Sequence, residues 1–291
     1  MDSLQQIINS HLPQLILGVF FSILALSIAW QKDFFHLPQA TPAPKLSSKA
    51  FFGCLFVFLI VLAFIAPLIS TLWLSIEAGH FVNPSKIELS TFSQIILNIL
   101  AIIVTAISMI VYYSLCSPQT RHAVWRTSPH QKTGHDIIMG IVTWLICFPL
   151  VIIVSQVIEI LGEWLFHFTR QDQLAVYFLK LTREFPLLFA LMAFLIAFVV
   201  PMVEELIFRG FIQTWLLGWF HRTGAIIFTS IIFAFCHYSA SQGLDNIELL
   251  TSLFVFSCFL GFIYERQQSL WASIALHSTF NIVSIFAILV E

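Results

Sequence analysis

Two adjacent carboxylates and a guanidinium interrupt an otherwise apolar run from Phe185 to Leu217: Glu204, Glu205 and Arg209. In hydrocarbon each such charge costs about 2.5–3.5 kcal/mol on insertion scales. A chain that keeps three together there is expected to use them. Helical spacing divides them. Glu205 and Arg209 are four apart, lie on one face and can pair within the helix. Glu204 is rotated by about 100° and has no cation three or four positions on. One carboxylate is therefore neutralised locally, and the other is left for a partner from another helix.

Two further polar insertions follow. Phe233 and His237 share a face at the end of one apolar run, and His277 and Asn281 share a face in the middle of the last. Read alone, a histidine near a span end is an interfacial residue, and a His/Asn pair is a structural contact between helices. Read together, Glu204, His237, His277 and Asn281 are a carboxylate base, two imidazoles and an amide. Those groups can activate water and stabilise an oxyanion. Glu204, His237 and His277 would equally make three zinc ligands with an open fourth position, although no HExxH is present. A transporter or scaffold keeping the cluster for structure is the non-enzymatic alternative. Against it, the charges sit in one C-terminal half rather than in two repeated halves.

The elements that must hold these groups are membrane helices. Of 291 residues 59% are hydrophobic and only 10% charged, with mean hydropathy +0.93, against about 25% charged in a soluble domain. The net charge of −2 argues against a nucleic-acid partner. Five cysteines without a CxxC read as small apolar residues. The N-terminus has no basic region or cleavage site and reads as a retained span. Apolar runs at 13–30, 51–76, 93–115, 137–161, 185–217, 224–238, 247–264 and 270–290 predict an all-α, polytopic bundle of about eight transmembrane helices. Loop 31–50, with Thr41-Pro42-Ala43-Pro44, reads as a hinge. Alternating spans put loops 31–50, 116–136, 218–223 and 265–269 on one side. That side carries more Lys and Arg, so it is expected to be cytoplasmic. The fifth run is too long for a simple span, and Pro201 in its middle predicts a kink or a break.

The three motifs, Glu-Glu-x-x-x-Arg at 204–209, Phe-x-x-x-His at 233–237 and His-x-x-x-Asn at 277–281, resemble those of the CPBP intramembrane proteases. That family includes the type II CAAX prenyl endopeptidases and the bacteriocin-processing and immunity (Abi) proteins. The resemblance covers residues 183–290, as a catalytic core, and leaves the helices of residues 1–180 without an assigned role. It implies a peptidase acting on a membrane-associated protein or peptide, in the lipid bilayer of a bacterial inner (cell) membrane. It implies Glu204 as the catalytic glutamate, His237 as the histidine that binds water, and His277 with Asn281 as the oxyanion pair. Glu205, Arg209 and Phe233 are supporting members. The glutamate mechanism needs no cofactor; the metalloprotease reading of the same residues needs zinc.

Overall fold

A computed structural model of the chain describes residues 2–38, 45–81, 89–126, 133–166 and 174–290. Among them are no strands. The helices are α1 (Asp2–Gln31), α2 (Ser48–Ala78), α3 (Thr91–Leu115), α4 (Pro118–Trp125), α5 (Thr133–Phe166), α6 (Leu174–Leu181), α7 (Pro186–Leu216), α8 (Arg222–Phe235), α9 (Asp245–Gln267) and α10 (Leu270–Val290). Seven are long and apolar enough to cross a membrane. The shorter apolar α8, with 14 residues, falls in the sixth expected run, 224–238. The chain is an integral, multi-pass, all-α membrane protein. Its exposed side chains are accordingly apolar, among them Phe20, Phe56, Phe64, Leu187 and Phe286.

Local signals set the helix ends. Ser47 accepts the Ala50 amide at the start of α2, and Gly79, with φ of 72°, closes it in the left-handed region. The short α4 and α6 lie where only loops were expected. Each is too short to span, so hydropathy alone gave no reason to draw them.

One apolar core joins the two halves of the chain: Phe34, Phe51, Val124 and Cys147 pack with Phe211, Leu260 and Leu276. A close backbone approach falls at Gly140 of α5, where a Cβ would stand 2.4 Å from the Ala272 carbonyl of α10. Glycine lets these backbones meet, and that contact seats the helix carrying His277.

The four loops expected on one side do meet. Arg222 Nη1 donates to the Pro38 carbonyl at 2.6 Å, and Arg266 Nε to the Phe34 carbonyl at 2.7 Å. Arg126 and Arg222 both reach Glu265. The loop after α1 therefore does not behave as a free hinge at its start, because Phe34 and Phe35 also pack on Phe262. Thr41-Pro42-Ala43-Pro44 lies outside the described residues.

α7 neither breaks nor stays purely α-helical. Two π-helical stretches, Leu195–Val199 and Leu206–Gln213, flank the turn that carries Pro201, Glu204 and Glu205. Each π turn adds a residue without ending the helix, so the proline is absorbed and the carboxylates are re-aimed.

Candidate active site

Glu204 and Glu205 share a turn of α7 and face different surroundings, as their spacing requires. Glu205 is fully buried. Its Oε1 accepts from Arg209 Nη1 at 3.1 Å and from His277 Nδ1 at 2.9 Å. The expected Glu205–Arg209 pair is therefore present, but Glu205 also holds an imidazole from α10. No spacing within α7 could reveal that second bond. Arg209 is likewise fully buried, and its Nη2 donates to the Ser257 hydroxyl at 2.7 Å and the Ser257 carbonyl at 3.2 Å. Phe233 covers the guanidinium, 4.8 Å from its ring centre. Ser257 was not foreseen. It lies in an apolar stretch of α9 with no recurring partner in sequence to mark it.

Glu204 has looser company. Its Oε2 lies 3.7 Å from His277 Nε2, and its Oε1 lies 3.9 Å from His237 Nε2. Both distances exceed a direct hydrogen bond. The Glu204 side chain is 24% exposed and that of His237 32%, where Glu205 and Arg209 are at 0%. Glu204 therefore presents an accessible carboxylate between two imidazoles, each of whose other nitrogens is already engaged. His237 Nδ1 bonds the Phe233 carbonyl at 2.8 Å. A carbonyl only accepts, so Nδ1 carries the proton, and Nε2 of the neutral ring offers a lone pair on the Glu204 side.

His237 lies just past the end of α8, and α9 fixes that turn. The Asn246 amide accepts the Ser239 N–H at 3.0 Å and donates to the carbonyls of Ser239 at 2.7 Å and Gly243 at 2.9 Å. Asn246 is a positioning residue that sequence reading passed over. An asparagine at a helix start looks like an ordinary cap.

Asn281 stands on the face of α10 that carries His277, and its Nδ2 donates to the Ile196 carbonyl at 2.8 Å. That carbonyl is open for a reason written in the sequence. In the π stretch the Val200 N–H bonds the Leu195 carbonyl. The next donor in that register would be residue 201, and proline has no N–H. Asn281 supplies the missing donor, and the second hydrogen on the same nitrogen is not required for that bond.

Glu204, Phe233, His237, His277 and Asn281 all line one cavity of about 1500 Å³, walled mostly by apolar side chains such as Phe21, Phe148, Val200, Phe280 and Ile285. It is larger than the roughly 300–1000 Å³ usual for a small-molecule site. A zinc held by Glu204, His237 and His277 would need one ligand atom from each to converge. Among the described residues these three do not form such a group within 4.8 Å. The side chains as placed do not fit a zinc.

Residues 186–283 match the family model described as type II CAAX prenyl endopeptidase Rce1-like. The match spans all three motifs and bears out the resemblance read from them. It carries the implication of a peptidase with a membrane-associated protein substrate. No curated protein and no solved structure matches the chain.

Proposed function

We propose that this chain is an intramembrane endopeptidase in which Glu204 and His237 activate a water, with His277 and Asn281 on the side of the developing oxyanion. The single observation that carries the reading is the placement of the Glu204 carboxylate, 3.7 and 3.9 Å from two imidazole Nε2 atoms, on the wall of a large apolar cavity.

The chemistry follows from the proton positions. A water between Glu204 and His237 donates one hydrogen to the carboxylate and one to the Nε2 lone pair. Its oxygen attacks the scissile carbonyl carbon as the proton moves to Glu204. The C–O π pair becomes an oxyanion near His277 Nε2 and the second Asn281 N–H. Glu204 then returns the proton to the amide nitrogen as the C–N bond breaks. Glu205 holds His277 by Nδ1, so in its doubly protonated form that ring would donate from Nε2. In that form Glu204, Glu205, Arg209 and His277 sum to zero charge, as an apolar interior favours. None of these steps requires a metal ion.

The substrate class that fits is a peptide carrying a long apolar group, because the cavity offers apolar walls beyond the polar cluster. A prenylated C-terminal CAAX peptide is the first to test, given the family match. The experiment incubates purified full-length protein in detergent with a prenylated CAAX peptide and its unprenylated twin, with Glu204→Gln as the blank. Expected is cleavage of the prenylated peptide by wild type alone, surviving a tight chelator. Loss of cleavage on chelation and its return with zinc would overturn the metal-free mechanism. Cleavage of an unlipidated membrane peptide instead would keep the peptidase and change the substrate.

A further inference from the structure

A row of rings follows one wall of the cavity that holds Glu204, and it starts at the His277 imidazole. Phe256 of α9 meets that ring edge-on, with centres 5.2 Å apart and planes at 83°. Phe280 of α10 lies 4.4 Å from Phe256, and Phe148 of α5 lies 5.8 Å from Phe280. Trp144, one turn back on α5, lies 4.9 Å from Phe148. Each of these rings lines the cavity. Rings at such spacings interact, so each fixes the plane of the next. The Trp144 Nε1–H is buried and has no hydrogen-bond partner among the described residues. An unpaired buried donor is a cost, so the indole serves here by its face rather than by its N–H.

The same cavity has an apolar wall on α1. Leu17, Phe21, Leu24 and Ile28 recur at spacings of four, three and four, which keeps them on one face. They line the cavity and remain exposed, so their apolar surface is left for another molecule. α1 is seated on α5 at Gly18, where a Cβ would come within 3.2 Å of Ile153 Cγ1. Its far end is held to α9 by the bond from Arg266 to the Phe34 carbonyl.

We infer that a branched, unsaturated hydrocarbon chain on the substrate lies along this row of rings with α1 as its second wall, so that the N-terminal helices select what the C-terminal half cuts. This rests on the endopeptidase reading above and deepens it. Continuity carries it first. His277 belongs both to the row and to the cluster around Glu204, so a chain seated on the rings starts beside the reacting groups. Rigidity is the second argument. Interlocked rings have little freedom left to lose on binding. Their flat faces suit the planar C=C units of a branched chain, whereas a straight saturated chain has more rotatable bonds to freeze. The third is location. The three motifs all lie within residues 186–283, while Trp144, Phe148 and the α1 stripe lie outside them and still reach the same cavity.

The test measures equilibrium binding to full-length Glu204→Gln protein in detergent. The probes are a dansyl-labelled prenylated peptide, the same peptide with a straight saturated chain of equal carbon number, and the bare peptide. Expected is tighter binding of the prenylated probe than of its saturated twin. Phe148→Leu and Trp144→Leu should each weaken the prenylated probe by about 2–10-fold, narrow the gap between the two lipids and leave the bare peptide unaffected. Phe21→Ala should weaken both lipidated probes. Trp144→Leu serves where Phe148→Leu folds poorly, and Trp144→Phe, which keeps a ring, should bind as the parent does. Equal affinity of the parent for the two lipidated probes overturns the proposal. So does prenylated binding that neither leucine variant changes, or that Trp144→Phe loses as fully as Trp144→Leu. Cleavage is not read here, which separates the two proposals. A wild type that cuts no peptide while this binding pattern holds sinks the peptidase alone, and cleavage of the prenylated peptide with binding unchanged in the ring variants sinks the aromatic wall alone.

Discussion

Two glutamates in this bundle stand beside basic side chains, and only one of them is left open to a third molecule. Glu265, at the end of α9, lies 2.9 Å from Arg126 Nη1 and 3.3 Å from Arg222 Nε, and accepts from Gln213 Nε2 at 3.1 Å. The Arg126 contact is one of charge and distance rather than hydrogen-bond alignment. The side chain is 1% exposed, and its contacts tie α8, α9, the end of α7 and the residue after α4 together. Glu204 sits on the same helix as Gln213, yet its nearest ionisable neighbours stay 3.7 and 3.9 Å away and it faces a cavity. Basic neighbours are thus common to both, although the Glu204 side chain is 24% exposed and that of Glu265 only 1%. What separates them is whether the carboxylate's lone pairs are already committed and whether a third molecule can reach them.

The largest expected effect breaks the comparison at Glu204. Glu204→Gln removes the proposed base and should lower turnover by about 10²–10⁴-fold, the usual contribution of general-base catalysis. No short contact is lost, so the thermal midpoint should stay near wild type. The check pairs peptide cleavage with thermal unfolding of the same preparation. A large drop in midpoint would place Glu204 among the structural residues. Glu265→Gln should do the reverse. It leaves Arg126 and Arg222 without their carboxylate, a change that costs about 3–5 kcal/mol when a buried pair is broken. Folded yield should fall while cleavage per folded molecule holds.

Glu205→Gln should fall between the two, because its carboxylate serves both purposes. It neutralises Arg209 and bonds His277 Nδ1. Stability should drop by about the 3–5 kcal/mol of a broken buried pair, and the surviving folded protein should also be slow. Normal turnover per folded molecule would show that His277 needs no partner at Nδ1.

That dual role marks where the sequence ran out. Membrane helices were legible because about 20 apolar residues have few other uses. The faces of Glu204/Glu205 and of His277/Asn281 were legible because helical spacing is fixed within one element. The bond from Glu205 to His277 was not, because it depends on how α7 and α10 are rotated against each other. Gly140 of α5 seats α10, and the faces of α7 turn with two π-helical stretches whose positions leave no periodic trace. Ser257 and Asn246 escaped for the same reason: each acts across a helix boundary, in a stretch whose local pattern reads as ordinary. Pro201 was recognised as a disturbance, but its partner on α10 could be named only once both helices were placed.

That partner gives the smallest of the expected effects and the one that best separates support from chemistry. Asn281 has two N–H groups. One fills the vacancy that Pro201 leaves at the Ile196 carbonyl, and the other is proposed for the oxyanion. Asn281→Ala removes both. The orphaned carbonyl should cost about 1–3 kcal/mol, and loss of an oxyanion donor should cost about 10²–10³ in kcat. Pro201→Ala restores a backbone N–H that can serve Ile196 from within α7, and by itself should change stability little. In the double variant the two losses should part. The stability cost of Asn281→Ala should shrink, because the carbonyl has a donor again, while kcat stays low, because no backbone group reaches the oxyanion. Unfolding midpoints and kcat for the four proteins of this cycle decide the matter. Recovery of kcat along with stability would assign Asn281 wholly to holding the turn before Glu204, and the oxyanion would then rest on His277.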